Sequence, residues 1–157
     1  MKFIAHRGNL NGPNSDKENK PSYIQKALES GFDVEIDVWY CNKHWYLGHD
    51  KPTYKITFKW LFNRHHQLWI HCKHLDALHK LTRRDGKNIW NHNLNYFWHQ
   101  NDDFTLTSKS QIWTFPRQPL TEFSVCVCPE KFNGPKEQLN KCYGICSDYI
   151  IDWKNKL

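Results

Sequence analysis

The stretch FDVEIDVWY, residues 32–40, decides the fold and poses the first chemical question. Its even positions, from Phe32 to Val38, are apolar, which is the two-residue period of a β-strand that packs one face into a core. Glu35 and Asp37 fall on the other face, side by side. Two unpaired carboxylates at that spacing repel each other and are costly in a low-dielectric site. The sequence therefore predicts that lysines, water or a metal ion compensate this pair.

Length and composition bound the class of protein. The chain has 157 residues, which predicts one domain, residues 1–157, large enough to bury a core of its own. It carries 22 Lys and Arg against 16 Asp and Glu, a net charge of +6, together with ten histidines. A basic balance favours anionic partners such as phosphoesters, nucleic acid or anionic lipid headgroups. Eight Trp, seven Tyr and nine Phe predict a core built from aromatic rings.

The sequence also predicts where the protein resides. No apolar run reaches the roughly 18 residues of a membrane span, which predicts no transmembrane segment. The apolar part of the N-terminal stretch is interrupted at Arg7 and is too short for a signal peptide. The six cysteines are therefore expected to be reduced thiols, and the protein to be cytoplasmic.

Four of the cysteines leave two interpretations open. Cys126, Cys128, Cys142 and Cys146 have spacings that invite a zinc site. However, Cys126 and Cys128 alternate along an apolar strand, and Cys146 lies in another. Buried free thiols are therefore the favoured interpretation.

The first half of the chain alternates strands and helices. Strands are predicted at 2–5, 33–40, 44–50 and 68–73. One helix is predicted to begin at Pro21, and a second at Phe58, where Thr57 would be the N-cap. The apolar stripe of Leu75, Leu78 and Leu81 predicts a third helix, which Gly86 would end. This order argues for a parallel sheet with helical crossovers.

The second half is predicted to be richer in strands. Short strands are expected at 95–99, 104–108, 111–115, 124–128 and 143–150, with a single helix at 135–141. Several gaps between these strands are shorter than about ten residues, which is too short for a helical crossover. Two alternatives follow: the connections are bare loops, or part of this half is antiparallel.

Chemically active residues cluster at the ends of the predicted strands. The clusters are His6-Arg7-Gly8, Glu35 with Asp37, His49-Asp50, and His71 with Lys73. Ligand sites of parallel α/β proteins form at the carboxyl ends of strands. One pocket is therefore expected to collect all four clusters.

These motifs resemble those of the glycerophosphodiester phosphodiesterase family, within the phospholipase-C-like phosphodiesterase superfamily of TIM barrels. The resemblance is carried by IAHRGN (4–9), ENKPSYIQKALESGFDVEIDVWY (18–40) and LGHD (47–50), and more loosely by WIHCK (69–73) and YGICSDYI (143–150). Order and spacing fit over residues 3–50, and the match is thin over 51–157. Because TIM barrels typically have about 250 residues, the resemblance implies a reduced or incomplete TIM-like (β/α) barrel with few helices in its C-terminal half.

The resemblance implies a role for each motif. His6 and His49 would act as general acid and base, which imidazole suits near neutral pH. Glu35 and Asp37 would hold one divalent cation, with Mg²⁺ or Ca²⁺ favoured by carboxylate ligands. Arg7, Lys73 and Glu18 would contact the substrate. The implied function is metal-dependent hydrolysis of a glycerophosphodiester-like substrate in lipid metabolism.

His71 departs from the family pattern, which usually has a carboxylate ligand two positions before Lys73. Imidazole favours Mn²⁺, Zn²⁺ or Fe²⁺ over Mg²⁺ and Ca²⁺. Two alternatives follow: His71 is a third metal ligand with a changed metal preference, or it binds substrate. Asp148 is expected to support the pocket floor without reacting. Two alternatives are also open for His99, Asp102 and Asp103: a solvated turn, which is favoured, or a contribution to the rim of the pocket.

Other readings of the same residues stay open. Glu35 and Asp37 could form an edge-strand face that Lys43, Lys55 and Lys73 neutralise. A metal-dependent nuclease would also use paired carboxylates and a basic charge, although no basic stripe with interleaved aromatics is visible, so nucleic acid is a less favoured partner than a small phosphodiester. A non-catalytic protein that binds a phosphorylated headgroup is the third hypothesis.

Overall fold

The computed structural model describes residues 1–82 and 93–157, and its main feature is a curled mixed sheet of ten strands. The strands are β1 (Lys2–His6), β2 (Asp33–Cys41), β3 (His44–Leu47), β4 (Tyr54–Ile56), β5 (Leu68–Cys72), β6 (Asn95–Trp98), β7 (Phe104–Leu106), β8 (Ile112–Thr114), β9 (Ser124–Val127) and β10 (Gly144–Ser147). The helices are α1 (Pro21–Glu29), α2 (Phe58–Phe62), α3 (Leu75–Thr82), α4 (Lys136–Lys141) and α5 (Ile150–Lys156), with a 3-10 helix at Pro129–Lys131.

The predicted reduced TIM-like (β/α) barrel is wrong. The sheet is mixed, because β3 and β4 form an antiparallel hairpin appended to β2, and β7 runs antiparallel to β8. The five helices of the described residues are only five to nine residues long, and no α-helix separates the strands from β2 to β4 or from β6 to β9. The short links around β7 leave no room for a crossover helix.

The remaining strands are parallel and lie in the order β6-β5-β2-β1-β10-β9-β8. The sheet curls so far that β6 approaches β7: Ser108 N donates to Tyr96 O at 2.8 Å, and Thr105 Oγ1 donates to Trp98 O at 2.8 Å. This curling brings the carboxyl ends of β1, β2, β5, β6 and β9 around one opening.

The two faces of the sheet carry different cores. On the outer face Val34, Ile36 and Ile70 are fully buried, and they pack against the helices. The inner face holds a smaller cluster that consists of Ile4, Trp69, Phe97, Trp113, Val125 and Cys146. Side chains alternate along each strand, so the inner face is also the face of the predicted site residues.

The aromatic residues of the inner face form a column of rings. The ring of His71 is stacked on Phe97 with centroids 5.3 Å apart, and Phe97 is stacked on Trp113 at 4.5 Å. Trp113 contacts Trp69 with a centroid distance of 6.0 Å, and Trp69 contacts Tyr143 at 6.1 Å. The predicted aromatic core is therefore confirmed for the inner cluster, where the column ends at a candidate site residue, but the larger outer core is mainly aliphatic.

Several local predictions are confirmed and some are wrong. The strand at 33–40 and the helix starting at Pro21 are confirmed, and Thr57 caps α2 by accepting a hydrogen bond from Trp60 N. The strand predicted over 143–150 is too long, because α5 begins at Ile150. The stripe predicted for α3 is wrong at Leu75, whose surface is 71% exposed. Gly86, predicted to end that helix, lies outside the described residues.

No helix among the described residues is both long and apolar enough to pass through a membrane.

Candidate metal and phosphate site

A cavity of about 480 Å³ opens at the carboxyl ends of the parallel strands. Six of the residues predicted from the sequence line it: His6, Arg7, Glu35, His49, His71 and Lys73. Glu18 and Asp37 are outside the lining, Asp37 because it is fully buried beneath the cavity floor. The sequence prediction that one pocket collects the four clusters is confirmed.

Asp37 is held rigidly from one side. Asn19 Nδ2 donates to Asp37 Oδ2 at 2.8 Å, and the main-chain N of Asp37 donates to Asn19 Oδ1 at 2.9 Å. Arg7 Nε lies 3.3 Å from the same Oδ2. Asn19 has a φ of 61°, a left-handed conformation that asparagine tolerates better than most residues. This reciprocal pair fixes the plane of the carboxylate and leaves Oδ1 facing the cavity side.

Asp37 Oδ1 is buried and makes no hydrogen bond of good geometry, although two nitrogens approach it. His71 Nδ1 lies 3.0 Å away, and Lys73 Nζ lies 3.4 Å away. A buried oxygen without a proper hydrogen bond is costly. Asp37 Oδ1 is therefore available as a ligand atom for a metal ion.

The ring of His71 is oriented by its other nitrogen. His71 Nε2 lies 2.8 Å from the main-chain oxygen of His99, and since a carbonyl oxygen only accepts, Nε2 carries the proton. In the neutral ring Nδ1 then has a lone pair, which faces Asp37 Oδ1 at 3.0 Å and Glu35 Oε1 at 3.8 Å. A lone pair between two carboxylates repels both unless a cation or a second proton lies between them. A histidine that ligates a metal usually donates its second nitrogen in this way.

Glu35, Asp37 and His71 together could hold a metal ion. One ligand atom from each of them lies within 4.8 Å of the others, and two of the three residues are buried. It is the only such group of His, Cys, Asp or Glu in the part of the chain that the structure describes. Carboxylate oxygens with one imidazole form a donor set that divalent ions use in proteins.

The two carboxylates differ in their surroundings. Burial and the charge of Asp37 raise the pKa of Glu35 above its usual value, although His6, His71 and Arg7 oppose this rise. Burial also acts to raise the pKa of Asp37, but the hydrogen bond and charge of a His71 that carries a second proton, together with Lys73 and Arg7, outweigh it, and the pKa of Asp37 is lowered. Arg7 and Lys73 thus compensate part of the negative charge of Glu35 and Asp37. Lys43 and Lys55 make no contact with either carboxylate.

His6 is oriented by Asp148. His6 Nδ1 lies 2.9 Å from Asp148 Oδ1, and Nε2 lies 3.9 Å from Glu35 Oε2. Burial alone would lower the pKa of His6, but the hydrogen bond to Asp148 and the charge of Glu35 raise it above its usual value. Asn9 Nδ2 donates to the same Asp148 oxygen at 2.8 Å and so fixes the carboxylate. Because Nδ1 is engaged, Nε2 is the nitrogen available for proton transfer.

His49 lies at the mouth of the cavity on the loop between β3 and β4. The loop is tied to β2, because Gly48 N donates to Asp37 O at 3.2 Å and Trp39 Nε1 donates to Gly48 O at 2.6 Å. His49 Nδ1 pairs with Asp50 Oδ1 at 2.6 Å, and the His49 side chain is 39% exposed. Both predicted acid–base histidines therefore line one cavity.

Arg7 is positioned by Glu18. Arg7 Nη1 donates to Glu18 Oε2 at 3.0 Å, and the other oxygen of Glu18 accepts from Asn9 Nδ2 at 2.9 Å. The main-chain N of Arg7 donates to Glu35 Oε2 at 3.2 Å. The structure thus places Glu18 behind the guanidinium of Arg7, and the substrate contact predicted for Glu18 stays a prediction.

Sequence reasoning missed three contributions to the site. Asn19 fixes Asp37, and the only sequence signal for it is its place directly after Glu18 in the polar loop before Pro21. Asp148 does more than support the floor, because it orients His6. The main-chain oxygen of His99 orients His71, and no side-chain pattern could reveal this, since any residue supplies that atom.

The zinc interpretation of the cysteines finds no support. All six are free, and Cys126, Cys142 and Cys146 are buried. No cysteine belongs to a metal-binding group within residues 1–82 and 93–157.

No family model matches the chain, and no curated protein or solved structure matches it either.

Proposed function

We propose that this protein is a metal-dependent phosphodiester hydrolase acting on a glycerophosphodiester-like or related small phosphodiester. One observation carries the proposal: Glu35 and His71 of the candidate metal group line one cavity with His6 and His49, and the buried third member, Asp37, lies 3.0 Å from His71. The proposal also draws on the resemblance of residues 3–50 to glycerophosphodiester phosphodiesterases.

A metal ion and the basic side chains would stabilise different oxygens of the phosphate. A divalent ion held by Glu35, Asp37 and His71 would polarise a phosphoryl oxygen and neutralise charge that develops on it. The carboxylates suit Mg²⁺ or Ca²⁺, and the imidazole extends the choice to Mn²⁺ and Zn²⁺. Arg7 and Lys73 both line the cavity and would pair with the remaining phosphate oxygens.

Proton transfer falls to the histidines. His6 Nε2 would accept or return a proton, and Asp148 keeps the ring in the tautomer that leaves Nε2 free. His49 would serve the opposite oxygen of the ester, because hydrolysis needs one proton removed and one delivered. Its position at the mouth, 39% exposed, suits contact with a leaving group that departs toward solvent.

The test is a turnover screen of bis(4-nitrophenyl) phosphate and glycerophosphodiesters with Mg²⁺, Ca²⁺, Mn²⁺ or Zn²⁺. We expect activity with at least one metal, loss with EDTA, and a loss of roughly 10²–10⁴-fold in His6→Ala and in His49→Ala. Glu122→Gln, an exposed carboxylate outside the cavity, is the matched control for Glu35→Gln. Full activity in either histidine variant would overturn the acid–base assignment.

Two other outcomes separate the alternative functions. Cleavage of single-stranded DNA or RNA without turnover of small diesters would identify a nuclease. Calorimetric binding of phosphate without turnover under any of the four metals would identify a non-catalytic headgroup-binding protein.

A further inference from the structure

We infer that the cavity contains a second subsite, which binds a flat aromatic group esterified to the phosphate. The subsite is the wall formed by Phe115, Pro116 and Val127, which line the same cavity as the ionic half formed by Arg7, Glu35, His71 and Lys73. The inference rests on the proposed function, since it names the substituent of the diester that the site would process.

The wall is continuous with the ionic half. Phe115 follows β8 and Val127 ends β9, and by strand alternation both lie on the inner face that carries Trp113 and Val125. His99 joins the two halves, because its main-chain oxygen accepts from the candidate ligand His71 and its ring lies 5.4 Å from the ring of Phe115. A phosphate bound to an ion at Glu35, Asp37 and His71 would therefore lie beside the wall.

Phe115 is the exposed member of this wall and its backbone is fixed. Its surface is 45% exposed, although it lines a cavity. Its main-chain N donates to Asp103 O at 2.9 Å, and its main-chain O accepts from Gln118 N at 3.3 Å. An aromatic ring held in this way offers a face on which a planar group can stack without ordering a flexible segment.

The chemistry of the wall selects among substituents. The carboxylates that line the cavity, Glu35 and Asp148, belong to the ionic half, so the wall has no negative side chain to pair with a primary ammonium group. A quaternary ammonium group is bound best by a cage of several aromatic rings, and the wall offers the single exposed ring of Phe115. Its side chains are mainly carbon and offer few partners for the hydroxyl groups of glycerol. Of these substituents, a flat aromatic ring binds the wall most favourably, because it removes apolar surface from water and stacks on Phe115. A volume of about 480 Å³ is within the range of small-molecule pockets, roughly 300–1,000 Å³.

Binding of phosphate monoesters tests this subsite without depending on catalysis. Calorimetry on the Mn²⁺-loaded protein would compare phenyl phosphate with glycerol 3-phosphate, and AMP with ribose 5-phosphate. We expect the aromatic member of at least one pair to bind about fivefold or more tightly. A preference in the first pair points to an aryl ester, and one in the second pair to a nucleoside.

Phe115→Ala should abolish this preference and leave the affinity for glycerol 3-phosphate within about twofold, whereas Phe115→Tyr should retain it. Phe104→Ala is the matched control, because Phe104 is 46% exposed and lies outside the cavity. Equal affinities within both pairs, or an equal loss for both members in Phe115→Ala, would overturn the inference while turnover of small diesters leaves the proposed function intact. Absence of both turnover and phosphate binding with all four metals would overturn the two together.

Discussion

His71 donates its Nε2 proton to the main-chain oxygen of His99 and thereby turns the lone pair of Nδ1 toward Asp37 Oδ1, 3.0 Å away. The acceptor is part of the backbone and cannot be removed by a side-chain substitution. The direction of the imidazole lone pair is thus built into the register of β5 and β6, which pair His71 with Phe97.

This orientation predicts that a divalent ion stabilises the fold. An ion present at about 100 times its Kd adds roughly 2.7 kcal/mol to the free energy of unfolding, which for a domain of this size is on the order of 5–10 °C in Tm. Differential scanning fluorimetry with Mn²⁺ and Zn²⁺ measures the shift. His71→Ala and Glu35→Gln should remove it, and Glu122→Gln should keep it. An equal Tm shift in all four proteins would show that the ion binds elsewhere.

Asp148→Asn should slow turnover without changing the size of the cavity, because the two side chains have nearly the same shape. The amide no longer holds the His6 tautomer by charge, so we expect kcat to fall by roughly 10²–10⁴-fold with little change in KM. The charge and hydrogen bond of Asp148 raise the pKa of His6. The substitution removes that charge and therefore lowers the pKa of His6, so the limb of the pH–rate profile that reports His6 should move to lower pH. Asp152→Asn, on the exposed side of α5, is the control. An unmoved limb would mean that His6 is not the titrating group.

Gly48→Ala should disturb the loop that carries His49. Gly48 has a φ of 146°, which side chains rarely adopt, and an added Cβ would collide with the main-chain oxygen of Lys51. We expect turnover to fall and the metal-induced rise in Tm to persist, because the ligands lie on β2 and β5. Gly31→Ala is a matched control, since Gly31 also has a positive φ, of 81°, but its added Cβ meets nothing within 4 Å. Normal activity in Gly48→Ala would argue against a role for this loop.

The cysteines should be poorly reactive in the native protein. Burial raises the pKa of Cys72 and of Cys126 to about 12, and holds the pKa of Cys146 well above its usual value. Thiols with such pKa values stay protonated at pH 8, and the thiolate is the reactive form. Burial also raises the pKa of the half-buried Cys128 to about 11. Titration with a disulfide reagent at pH 8 should therefore label at most Cys41 quickly, and all six thiols after unfolding. Rapid native labelling of more than one thiol would contradict this burial pattern.

The strand FDVEIDVWY shows what a sequence can predict. Its alternation specified which face packs into the core, and Phe32, Val34, Ile36 and Val38 are all buried as expected. The clustering of His6, Glu35 and His71 also followed, because the carboxyl ends of parallel strands share an edge. His49 reaches the same cavity by another route, since the antiparallel β3 returns the chain beside Asp37. These features depend on local periodicity and strand direction alone.

The fold itself did not follow from the same patterns. The sequence pattern of a short strand such as β7 or β8 is the same in a parallel and in an antiparallel pair. The direction of pairing depends instead on the segment that connects the two strands. The hairpin β3–β4 was only half predicted, because Tyr54–Ile56 is too short for a clear period. Contacts that use main-chain atoms, such as His99 O to His71, carry no side-chain signature.

The ring column from Trp69 through Trp113 and Phe97 to His71 has an evolutionary consequence. The same rings fill the interior and support a candidate ligand, so a change of size at one position alters the tilt of the next. Among homologous sequences, positions 71, 97 and 113 should therefore covary, and a lineage that replaces His71 by a carboxylate should also replace its stacking partner.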